Sequence, residues 1–148
     1  MASPLKTARD TITTIWEGLT PPTDTARTYH KITGRQVLDG ASGHRCFWFD
    51  PPTGGNVESF ATAAQQVRHA VTANIKLSSA GAGVDEVYDD VADEAALLLG
   101  GINLYSSSWP SGVVHASATG YEATPIESDD VLLAIAIDII TQETDGAT

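Results

Sequence analysis

The sequence predicts an α+β fold, with a mixed or antiparallel β-sheet of about four to five strands packed against two helices. Three observations carry this expectation. Two segments, near residues 4–19 and 84–99, repeat apolar residues at three- and four-residue spacing, as a helix with one buried face requires. The stretch 63–77 alternates apolar and polar residues, the period of a half-buried strand. Finally, 131–141 is apolar at both even and odd positions, as a strand covered on both sides must be.

Ser3-Pro4 reads as a helix cap followed by proline in the first turn, and Ala8, Ile12, Ile15, Trp16 and Leu19 supply the stripe of a helix over Pro4 to Leu19 that ends near Gly18. Thr20-Pro21-Pro22-Thr23-Asp24 is a stiff connector. Arg27 to Leu38 is rich in strand formers, Asp39 to Gly43 supplies a turn, and His44 to Phe49 resumes as an aromatic strand, so the region reads as a hairpin. Asp50-Pro51-Pro52-Thr53-Gly54-Gly55-Asn56 is dense in turn formers, and the sequence predicts a flexible exposed loop from Asp50 to Ser59.

In the long strand Ala63 to Leu77, Val67, Val71, Ala73, Ile75 and Leu77 define the buried face, with Arg68, Thr72, Asn74 and Lys76 on a wet one. After the small-residue turn Ser78 to Gly83, the second helix runs over Val84 to Leu99. Val84, Val87, Tyr88, Val91, Ala95, Leu98 and Ile102 form its apolar stripe, and Asp85, Glu86, Asp89, Asp90, Asp93 and Glu94 its solvated side. The acids of the first turns also suit the positive end of the helix dipole. Gly100-Gly101 is read as the helix end, Ile102 to Gly112 as a loop, Val113 to Glu122 as a strand and Thr124 to Asp130 as a turn. Val131 to Thr141 is then a strand that is central or lies in an interface, and Gln142 to Thr148 is a flexible tail that orders against a partner.

At 148 residues the chain fits one domain, 1–148, because chains of this size bury roughly 70% of their unfolded surface without disulfides or metals. Nineteen acids against eight bases give a net charge of -11, and no Lys or Arg follows Lys76, so the C-terminal half would repel nucleic acid at close range. A single cysteine, Cys46, excludes an internal disulfide framework and multi-cysteine zinc sites. The N-terminus has no signal-peptide pattern, and the longest apolar run, Val131 to Ile137, is far short of the roughly 20 residues that span a bilayer. A soluble protein without membrane contact is expected.

The search for chemistry returns bland readings. Gly81-Ala82-Gly83 precedes a helix, but Glu86 stands where a dinucleotide pattern needs its third glycine, and Asp85 and Glu86 would repel a phosphate. His30, His44, His69 and His115 have no second ligand at helical spacing, so each is read as structural. Cys46, between Arg45 and Phe47, is read as a buried strand cysteine and not an activated thiol. Ser106-Ser107-Ser108 has no nearby base and no Gly-x-Ser-x-Gly elbow exists. The acids of the second helix lack the loop geometry of a calcium site; they read as a solvated face or as the lining of a passage through which DNA slides without sticking. No catalytic, cofactor-binding or metal residue is assigned, and the chain is read as no enzyme.

The order helix, strand hairpin, long strand, acidic helix, strand and final apolar strand resembles the tail terminator proteins of tailed bacteriophages, and related tail-completion and neck proteins. The residues that carry the resemblance are Ala63 to Leu77, Val84 to Leu99, and the ending Ile126-Glu127-Ser128-Asp129-Asp130 followed by Val131 to Ile139. The resemblance covers most of the chain in order and length. The resemblance implies a structural virion protein, assembled in the host bacterial cytoplasm, that forms a homo-oligomeric ring, commonly hexameric. The ring caps the end of the tail tube and joins it to the head–tail connector protein, with no cofactor and with DNA only passing through an acidic channel. Two other classes stay open: another virion connector or tube protein, such as head closure or tail tube, and a small α+β enzyme or ligand-binding domain. The last requires His30, His44, His69 or His115 to converge with a carboxylate in a pocket.

Overall fold

Ser3 starts the first helix as its sequence requires. Its hydroxyl accepts the Lys6 N–H at 3.2 Å and Pro4 occupies the first turn, so helix α1 spans Pro4–Glu17 with Gly18 as its C-cap. Four threonines, poor helix formers by virtue of their branched Cβ, are accommodated because each hydroxyl donates to the carbonyl four residues back. The distances are 3.1 Å for Thr7, 2.9 Å for Thr11, 2.9 Å for Thr13 and 3.1 Å for Thr14. The computed structural model describes residues 3–22, 28–32, 44–61, 64–78, 84–105, 108–126 and 130–144. The expected turn Gly81-Ala82-Gly83 and most of the expected Arg27 to Leu38 strand lie outside them.

The remaining elements are β1 (His30–Lys31), β2 (Cys46–Phe49), β3 (Thr53–Ala61), β4 (Ala64–Leu77), α2 (Val84–Asn103), β5 (Val113–Pro125) and β6 (Val131–Thr144). The architecture is the expected α+β class, two helices on one mixed sheet. Six strands fill five positions in the order β1-β2-β4-β6-β5, with β3 joining β2 along one side of β4. All pairs are antiparallel except β1 with β2, which run parallel. The expected antiparallel hairpin of β1 and β2 is therefore corrected: the chain returns to β2 in the same direction.

A second correction concerns Asp50 to Ser59, which is largely strand. The Asp50 N–H reaches Thr72 O at 2.9 Å and pairing resumes at Thr53 opposite Ala70, so Pro51 and Pro52 together oppose the single residue Val71. Prolines lack the N–H that a ladder needs, so they force a bulge, yet the path continues along β4 to Ala61 opposite Ala64. At the other end of the chain Gln142 to Thr144, expected as tail, extend β6 and pair with Ala64 to Gln66.

β4 and β6 pair over 14 residues each without a register shift, and their alternation fixes which side chains face the helices. Val71, Ala73, Ile75 and Leu77 of β4 and Val131, Leu133, Ile135, Ile137 and Ile139 of β6 are all buried against Ala8, Ile12 and Trp16 of α1 and Val91, Ala95, Leu98 and Ile102 of α2. Each Val, Leu or Ile among them contributes about 1.5–3 kcal/mol on leaving water. Trp16 packs edge-on against Phe47 at 5.3 Å and stacked on Phe49 at 6.1 Å, and donates its indole N–H to Leu98 O at 3.0 Å, which fixes α1 to α2.

α2 does not stop at Leu99 but continues through both glycines to Asn103. Gly101 lies where the helices approach: a Cβ there would sit 3.2 Å from Ile15 Cγ2 and 3.3 Å from Leu19 Cδ1. The glycine thus serves helix contact and not termination. Gly112 has φ +90°, and a Cβ on it would stand 3.1 Å from Pro4, so both backbone and space demand glycine at the turn into β5.

Candidate functional site

The helix face of the sheet holds a buried polar cluster. Glu94 was expected on the solvated side of α2, and the structure corrects that: it is 3% exposed and its Oε1 accepts from Arg45 Nε at 2.6 Å and from the Tyr29 hydroxyl at 2.8 Å. The Arg45 guanidinium also lies over the Tyr29 ring, 5.7 Å from its centroid. Arg45 adopts φ 64° just before β2, its N–H donates to Lys76 O at 2.7 Å, and its carbonyl accepts from His30 N. Burial first, then the charge of and hydrogen bond to Glu94, holds the Tyr29 hydroxyl well above its usual pKa, while Arg45 acts in the opposite sense. The cluster ties α2, β2 and the segment before β1 together.

The histidines come from four different segments of the chain. The Nδ1 of His44 accepts the Ser78 N–H at 3.0 Å, which places its proton on Nε2. His69 Nε2 meets Thr141 Oγ1 at 3.0 Å, His30 Nδ1 lies 3.4 Å from Thr28 O, and His115 is exposed on β5. Cys46 is a free, buried thiol. Among the described residues no group of three or more His, Cys, Asp or Glu side chains could hold a metal ion, and no helix is long and apolar enough to cross a membrane. Ser108 is exposed; Ser106 and Ser107 lie outside the described residues.

The sheet's second face is unlike its first. Among the described residues no helix packs on it, since both helices share the core formed on the first. At its β2 side this face is closed: Trp48, Asn74 and Lys76 are 6%, 6% and 3% exposed. Asn74 and Lys76 were expected to be wet. Their burial is supported by polar partners, as Asn74 donates to Asp50 Oδ2 at 2.9 Å and Lys76 Nζ lies 3.6 Å from Asp130 Oδ2.

Along β6 and β5 the same face opens. Leu132, Ala134 and Ile140 are half-buried, Ala136 is exposed, and a Cβ placed on neighbouring Gly120 would meet nothing within 4 Å. Glu122 and Thr124 are exposed beside them, and Arg68 pairs with Asp138 at 3.0 Å across β4 and β6. β6 is thus central and apolar on both sides, with one side only partly covered.

Between α2 and the far end of β5 and β6 lies an open apolar groove of about 200 Å3, lined among the described residues by Val91, Ala123, Pro125 and Val131. Sequence reasoning missed it, because its walls come from three elements whose proximity depends on strand order. The outer sides of β5 and β1 are occupied in part by helix side chains. The amide of Asn103 donates to Ala118 O at 2.9 Å and accepts Ala118 N–H at 2.7 Å, and Glu17 Oε2 accepts the Lys31 N–H at 3.3 Å. No protein-family model matches this chain, and none of the curated proteins matches it either.

Proposed function

We propose that this chain is a structural virion protein of a tailed bacteriophage that assembles with copies of itself into a ring, caps the end of the tail tube and joins it to the head–tail connector. The observation that carries the reading is the strip of Leu132, Ala134, Ala136 and Ile140 on the second face of the sheet. A central strand that is apolar on both sides yet covered on one is a surface suited to a protein partner. The long strand β4, the acidic helix α2 and the apolar closing strand support the family resemblance, with β6 running to Thr144. The net charge of -11 suits a passage that DNA traverses without adhering.

A small-enzyme reading needs His30, His44, His69 or His115 to converge with a carboxylate in a pocket; His30 lies near Thr28 O, His44 accepts the Ser78 N–H and His69 meets Thr141 Oγ1. The experiment is the mass of the purified protein at several concentrations and salt levels, followed by negative-stain imaging alone and with tail tubes. Rings with a central hole, free or on tube ends, are expected. A protein that stays monomeric and leaves tube ends bare overturns the reading and makes a ligand screen the next step.

A further inference from the structure

We draw no further inference here: the strongest candidate, the open apolar groove between α2 and the far end of β5 and β6 that Val91, Ala123, Pro125 and Val131 line, carries nothing because nothing in the structure shows what covers it.

Discussion

Glu94 of α2 and Arg45 at the head of β2 meet at 2.6 Å with side chains only 4% and 1% exposed, though 49 residues separate them in the chain. Their attraction acts where water does not screen it, and the cost of drying both charges is offset only while both are present. Glu94→Leu therefore leaves a guanidinium in a dry site without its carboxylate, and about 3–5 kcal/mol of stability should be lost. The double variant Glu94→Leu/Arg45→Met removes both charges and should recover most of that loss. Urea unfolding of the wild type, the single variant and the double variant measures the difference; a double variant no more stable than Glu94→Leu would contradict the assignment.

Tyr29 makes the same cluster sensitive to alkali. Below pH 10 its hydroxyl is protonated in folded and unfolded chains alike, and the hydrogen bond to Glu94 contributes in full. Above its ordinary value of 10.0 the unfolded chain releases the proton and the folded chain keeps it, because the folded pKa is raised. Stability should therefore fall as pH rises past 10, by up to about 1.4 kcal/mol per pH unit from this residue. Tyr29→Phe should be less stable at neutral pH by roughly 1.5–3 kcal/mol, the range for a bond to a charged acceptor, yet show a shallower decline between pH 10 and 11. Parallel slopes for the two proteins would rule out the coupling.

What the sequence made legible was what is local and periodic. The α1 stripe of Ala8, Ile12 and Trp16 and the two-sided β6 follow from spacing alone, and both occupy the expected places. β3 was hidden because Pro51, Pro52, Gly54 and Gly55 are loop formers by propensity, whereas its strand conformation is imposed by a partner, β4, that lies later in the chain. Glu94 lies three residues after Val91 and four before Leu98, so its spacing puts it beside the apolar stripe, but only the distant Arg45 gives a charge there a reason to be buried, whereas Asp93 one position away is exposed. The parallel pairing of β1 with β2 and the Val91 groove depend on strand order, which no residue pattern in this chain encodes.

The paired glycines of α2 should respond differently to the same change. A Cβ on Gly100 would meet Leu104 Cδ1 at 3.8 Å, ordinary contact, so Gly100→Ala should gain the helix propensity difference of about 0.8–1 kcal/mol. Gly101→Ala gains the same propensity but presses Ile15 and Leu19 from 3.2 and 3.3 Å, and should come out near neutral or destabilising. Gly101→Val should cost about 1–3 kcal/mol as overpacking between α1 and α2. Thermal unfolding of the three variants tests the order; equal stabilisation by both alanines would mean that the helices do not touch at Gly101.

Asn103 predicts a change in association as well as in stability. β5 is an outer strand of the sheet, and outer strands offer unpaired backbone groups to any other strand. At Ala118 both groups are taken by the Asn103 amide, at 2.9 and 2.7 Å, in the manner of a missing neighbour strand. Asn103→Leu preserves bulk and helix propensity but releases both bonds, so a loss of about 1–2 kcal/mol is expected. The freed edge should then pair nonspecifically. Light scattering at rising protein concentration should show open-ended growth in Asn103→Leu that the wild type lacks. Growth no greater than that of the wild type would mean that Asn103 does not guard the edge.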